Sequence, residues 1–171
     1  TNLDEFYMIR VAGLKKLFSV GISISGTDKI TTNKQLSDIR SYIHKEQEVV
    51  EATYKDIVSH LKKEKLFIGS YEELNSAAKK KLEEIFFSHI YPVIVPIAVD
   101  STHPFPHLNN LSFGKVVKLK DSETGDVKFG IIRIPRMLPR FIEVEGGHYI
   151  PIEKVVAVYA GELFNGFDLV E

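Results

Sequence analysis

The sequence contains no cysteine. Disulfides, thiolate metal sites and cysteine nucleophiles are thereby excluded, and the composition fits a reducing compartment. An excess of either charge is also missing: 22 Lys and Arg stand against 23 Asp and Glu, a formal net charge of -1. A basic excess is the usual footprint of a nucleic-acid binder, so nucleic acid is not an expected partner. No apolar run approaches the roughly 18 residues of a membrane-spanning helix and no signal-peptide pattern opens the chain, so neither is expected. The first residue is Thr1 rather than Met, which points to processing or to a piece of a longer protein. What is present is an ordinary globular composition, 44% hydrophobic and 26% charged over 171 residues. That is enough for one domain or two small ones.

The common chemical motifs are missing as well. There is no GxxxxGK[ST], GxGxxG or HExxH, and Gly146-Gly147 alone reads as a turn. Of the six histidines only His103 and His107 are close in sequence. Pro104 and Pro106 forbid the helix that would put both on one face, so they read as loop residues and no metal ligand is assigned. His44, His60, His89 and His148 have no acid or nucleophile at a recognisable spacing, and no catalytic residue is assigned. A histidine-dependent hydrolase therefore has no support. Arg133, Arg136 and Arg140 cluster around Pro135 and Pro139. Guanidinium forks suit phosphate oxygens, so an anion or polyanion is one reading and a solvated edge or interdomain contact the other. In the loop from Asp100 to Phe113, the prolines hold the backbone so that Phe105 can act as a wedge into a core, and Asn109 or Asn110 can serve turn geometry.

Periodicity supplies the elements. Leu3, Tyr7, Val11, Leu14 and Phe18 form one stripe of a first helix, with Asn2 and Glu5 in the form of a capping box. A loop over Gly21–Asp28 separates it from a longer helix. There Thr32 and Gln35 offer a second capping box, and Leu36, Ile39, Ile43, Val50, Tyr54, Ile57 and Leu61 form the stripe. Such a helix runs roughly 45 Å at 1.5 Å rise per residue. Two helices with one-sided stripes cannot bury both faces alone and call for a third. After Lys65 the texture changes. A short strand is expected at 66–68, a helix over 75–90, and a buried strand in the apolar run 92–99. Strands at 111–120 and 127–134 flank a Gly-containing turn, and a second pair at 141–144 and 148–150 flanks Gly146-Gly147. Pro151 starts a last helix that Asn165-Gly166 stops. The expected fold class is α+β. An antiparallel helical hairpin over 1–65 precedes a mixed α+β head over 66–171 with a small, mainly antiparallel sheet.

Several stretches carry a resemblance. Asn2-Leu-Asp-Glu-Phe-Tyr-Met-Ile-Arg-Val-Ala-Gly-Leu14 resembles the NLDEF(F/Y)xxRxAxL motif of the long bacterial polyphosphate kinases. The run Pro92–Asp100 with His103-Pro-Phe-Pro106, Leu108, Asn110 and Ser112 is similar to that family's PxLxPLAVDxxHPFPxLxNxS stretch. Ile134–Phe141 resembles its VPxxLPRF segment, and Tyr149–Glu153 with Glu162–Gly166 its FVPLEDVI…LFPG segment.

The resemblance implies a fragment of a much longer enzyme. It covers part of an N-terminal helical domain, whose first helical segment is missing, and part of the head domain. The implied reaction is reversible transfer of the terminal phosphoryl group of ATP to inorganic polyphosphate through a phosphohistidine. That histidine and the Mg2+ ligands lie in C-terminal domains outside the fragment, so the fragment alone should be inactive. Only one site residue carries over: Asn2, which the resemblance places against the adenine of ATP. An amide can read a base edge because it both donates and accepts. The resemblance also implies ATP or ADP and polyphosphate as ligands. It implies a homodimer formed through the head, with Phe105, Phe113 or Tyr149 as candidate interface residues. The implied location is the cytoplasm, with peripheral membrane association as a variant. The alternative to this reading is a non-catalytic module that binds a polyanion or a protein.

Overall fold

The computed structural model describes residues 2–23, 30–100 and 103–170. Thr1, most of the loop expected over Gly21–Asp28, and Ser101 and Thr102 of the proline loop lie outside the described residues. The chain forms two compact units, Thr1–Ser59 and His60–Glu171.

The first unit is helical. Helix α1 (Asn2–Phe6) passes through a π-helical turn, Tyr7–Val11, into α2 (Ala12–Ser19), and α3 (Thr32–Lys63) follows. The two arms run antiparallel: Arg10 Nη2 donates to Gln35 Oε1 at 3.2 Å, while Leu3 and Phe6 share a groove with Ile39, Tyr42 and Ile43 further along α3. A π turn accommodates one extra residue and rotates the face that follows it. Counted back from Val11 and Leu14 across that turn, the stripe therefore continues to Phe6 and Leu3, which line the groove, rather than to the Tyr7 of the sequence stripe. Caps also differ from expectation. Asn2 is already helical, and Thr31, not Thr32, caps α3 by accepting from the Lys34 amide. Thr32 is buried instead and donates its hydroxyl to the Ile22 carbonyl. Adjacent threonines look alike in sequence, and the turn before the helix decides which one caps it.

The second unit contains two sheets rather than the single expected one. Strand β1 (Phe67–Ile68) is followed by a 3-10 turn, Tyr71–Glu73, and by α4 (Ser76–Ile85), which Asn75 caps by accepting from the Ala78 amide at 2.8 Å. A π turn, Phe86–Ile90, extends α4. Strands β2 (Pro96–Val99), β3 (Gly114–Asp121) and β4 (Val127–Arg133) precede β5 (Phe141–Glu143) and β6 (His148–Pro151). Helix α5 (Ile152–Val158), a 3-10 turn and β7 (Phe167–Leu169) complete the unit. One sheet is antiparallel in the order β2-β4-β3-β7, and the other has the order β1-β6-β5, with β1 parallel to β6 and β5 antiparallel to it. Pro135 and Pro139 lie between β4 and β5. They have no amide proton to carry the ladder on, so the chain leaves one sheet before entering the other.

The core lies between these layers. Ala78, Leu82, Phe86 and Ile90 form one buried stripe, Val117, Leu119 and Ile132 come from the four-stranded sheet, and Ile152, Val155 and Val156 come from α5. Phe86 is fully buried and stacks on Tyr159 at 4.4 Å. Gly130 is tightly enclosed: an added Cβ would lie 2.6 Å from Phe164 Cζ and 2.8 Å from Val117 Cγ2. The run 92–99 is not the buried strand expected from its composition. It begins as a 3-10 turn, Tyr91–Val93, and Val95 is 71% exposed. Strand alternation puts Ile97, paired with Ile131, on the outer face together with Phe129 and Val116; Val116 and Phe129 are exposed there, whereas Ile131 is covered.

Candidate functional site

At one end of β2 and β4 the outer sheet face becomes a cleft of about 670 Å³, lined by Val93, Val95, Ile97, Asn109, Asn110, Leu111, Ser112, Phe113, Arg133, Ile134, Pro135 and Arg136. Its floor and one wall are sheet and its other wall is a tight turn. The Ser112 amide donates to the Asn109 carbonyl at 3.0 Å, closing a four-residue turn. Leu111, the third residue of this turn, has φ +60°. That is the type II position normally taken by Gly or Asn, and a leucine there costs on the order of 1–2 kcal/mol. Two hydrogen bonds hold the turn: Arg136 Nη2 donates to the Asn110 carbonyl at 2.9 Å, and the Ile134 amide to the Phe113 carbonyl at 2.9 Å.

The structure sorts the three arginines. Arg140 is occupied elsewhere: its two terminal nitrogens lie 3.0 Å from the two carboxylate oxygens of Glu153, and its guanidinium sits 4.0 Å above the Phe113 ring. It does not line the cleft. Arg133 and Arg136 do, and neither has a carboxylate within ion-pair distance among the described residues. Gly114 stands directly across the ladder from Arg133, so no side chain crowds that guanidinium from β3. Two uncompensated cations beside apolar walls make a local positive field that water screens only partly.

The other singled-out residues are placed as follows. Asn2 is exposed at the start of α1, in the first unit, and its side chain has no hydrogen-bond partner among the described residues. It does not line the apolar groove of about 450 Å³ formed by Leu3, Phe6, Asp38, Ile39, Tyr42 and Ile43. Phe105 is 59% exposed and is no core wedge. His103 is tied to Asp100, whose Oδ1 accepts from its amide at 2.7 Å and lies 3.3 Å from its Nδ1. His148 stacks on Phe67 at 4.7 Å, with Nδ1 3.0 Å from the Glu145 carbonyl. Tyr149 is half-buried, and burial, aided by nearby Glu143, raises its hydroxyl pKa. Among the described residues no group of three or more His, Asp or Glu could hold a metal ion. No described helix is long and apolar enough to cross a membrane.

Sequence reasoning singled out Arg133 and Arg136, and Asn109 or Asn110 as turn residues, but missed the cleft they line. The Asn-Asn pair signals a turn, but a turn with left-handed Leu111 has no glycine to announce it.

Known proteins supply the remaining information. A family model described as the polyphosphate kinase middle domain matches residues 77–171, and one described as the polyphosphate kinase N-terminal domain matches residues 1–69. A polyphosphate kinase of Campylobacter jejuni is 58% identical over 99% of this chain, which covers 24% of that protein. One from Helicobacter pylori is 38% identical over the whole chain, which covers 25% of it. The chain thus spans about a quarter of the length of the curated relatives it matches. A crystal structure of polyphosphate kinase from Porphyromonas gingivalis superposes with a TM-score of 0.75 at 20% identity, covering 99% of this chain and 26% of that one. At that identity the match establishes the fold: N-terminal helices followed by a mixed α+β head.

Proposed function

Because this chain belongs to the polyphosphate kinase family, we propose that it forms the N-terminal helical part, 1–65, and the head, 66–171, of an enzyme that reversibly transfers the terminal phosphoryl group of ATP to inorganic polyphosphate. The observation that carries this reading is the pair of family models, which follow one another in chain order over nearly all 171 residues. The phosphohistidine and the Mg2+ ligands belong to sequence outside these residues. This piece contributes the adenine side of the nucleotide site through Asn2 and a homodimer contact through the head. An exposed side-chain amide with no hydrogen-bond partner among the described residues suits a base edge, since both its donor and its acceptor are open.

The test is the longer protein, incubated with ATP and Mg2+ and assayed for polyphosphate. Product supports the reading, and its absence favours a non-catalytic binding module. Turnover by the 171-residue chain alone would refute the placement of the phosphohistidine elsewhere. In the longer protein, Asn2→Ala should weaken ATP affinity by about 1–2 kcal/mol, the worth of a lost polar contact, with little change in melting temperature. Unchanged affinity with a lowered melting temperature would assign Asn2 to the helix start alone.

A further inference from the structure

We infer that the cleft between β2, β4 and the Asn109–Ser112 turn is a binding site for a nucleoside polyphosphate, separate from the adenine contact proposed for Asn2. Its volume, about 670 Å³, is that of a site for one nucleotide-sized molecule rather than for a lone oxyanion. Its lining combines two chemistries. Arg133 and Arg136 supply cationic forks that no carboxylate among the described residues neutralises, and guanidinium forks match phosphate oxygens. Ile97 and Phe113 supply apolar surface that an inorganic phosphate chain has no use for and a base or ribose face does. The Asn109 and Asn110 amides, on the turn above that surface, can donate to and accept from a base edge.

The turn is held by the same residue that faces the ligand. Arg136 uses one of its five N–H donors on the Asn110 carbonyl, leaving the others for phosphate. Phosphate drawn to Arg136 and a base held by the Asn110 side chain therefore bear on one hydrogen-bonded pair. Left-handed Leu111 sits between Asn110 and Ser112, and strained backbone of this kind clusters at ligand clamps.

The nucleotide class rests on the phosphotransferase reading only in that such an enzyme meets ATP and ADP; the cleft chemistry stands without it. The decisive measurement is calorimetric titration of the 171-residue chain with ADP, inorganic tripolyphosphate and adenosine. The chain carries Arg133→Ala, Arg136→Ala, Asn2→Ala or Lys45→Ala, Lys45 being exposed on α3. ADP should bind the unaltered chain and the Lys45→Ala variant alike, and Arg133→Ala should weaken it at least about tenfold, the scale of one charged hydrogen bond. Arg136→Ala also releases the turn, so Arg133→Ala, whose side chain holds no structural partner among the described residues, is the variant that decides. Tripolyphosphate binding tightly while ADP does not would make the site one for the inorganic chain and overturn the nucleotide assignment. Loss of ADP binding on Asn2→Ala but not on Arg133→Ala, or no ADP binding at all, would overturn the cleft as a site. A longer protein that makes no polyphosphate would overturn the phosphotransferase reading and leave this titration untouched.

Discussion

Helices α3 and α4 both carry apolar stripes, and the stripes are treated differently. On α4 and its π turn, Leu82, Phe86 and Ile90 are closed over completely. On α3, Val50, Tyr54 and Ile57 remain 65%, 46% and 51% exposed. Their periodicity is equally helical; what differs is supply. In the second unit the four-stranded sheet and α5 present Leu119, Ile132, Val155 and Val156 to the α4 stripe, whereas among the described residues of the first unit the buried apolar ones are Val11 and Leu14. An amphipathic pattern states what a helix needs to bury, and says nothing of whether the residues around it provide the cover.

The comparison can be broken by substitution. Phe86→Ala should destabilise the second unit by about 3–5 kcal/mol, because it leaves a cavity against Tyr159, while Tyr54→Ala should stay within about 0.5 kcal/mol. Denaturant melts of both variants check this, and comparable losses would mean that α3 is as well covered as α4. The glycines sharpen the contrast. Gly130→Ala drives a methyl group to within 2.6 Å of Phe164 and should cost about 1–3 kcal/mol. Gly13→Ala, in α2 with nothing within 4 Å of the new methyl, should instead stabilise by about 0.5–1 kcal/mol through helix propensity. Opposite signs in thermal melts are the expected result.

The smallest effect is electrostatic. Burial, with Tyr71 and Glu83 nearby, pushes the Tyr159 hydroxyl up to about 12 from its ordinary 10.0. The folded state therefore holds this proton more tightly than the unfolded chain does. The associated stability is fully present below pH 10.0 and is lost as pH rises towards about 12. Tyr159→Phe keeps the stack on Phe86 and should flatten the alkaline fall of the melting temperature over that window. An unchanged alkaline profile would show that Tyr159 stays in contact with water.

Much of the fold was legible residue by residue. The α4 stripe, the hairpin around Ser122–Asp126 and the helix after Pro151 follow from local spacing, and each is found where that spacing puts it. The features that were missed depend on partners far away in sequence. The cap passes from Thr32 to Thr31 because Thr32 turns towards Ile22, ten residues earlier. Arg140 leaves the arginine group because Glu153, thirteen residues on, takes it. Phe105 stays outside, 59% exposed, which the pair of flanking prolines did not announce. Of the candidate site, Arg133, Arg136 and a turn at Asn109 or Asn110 could be named in advance, but not the left-handed Leu111 within it, since a leucine at φ +60° has no local signature.

Composition and spacing by themselves determined the α+β class, the helical start, most strand positions and, through four ordered motifs, the family. These are short-range or covalent properties, and they survive in a linear string. Tertiary structure alone decided which stripe is covered, how the strands divide between two sheets, and which arginines remain unpaired. Those outcomes turn on desolvation and charge pairing between residues that only the folded chain brings within a few ångströms of one another.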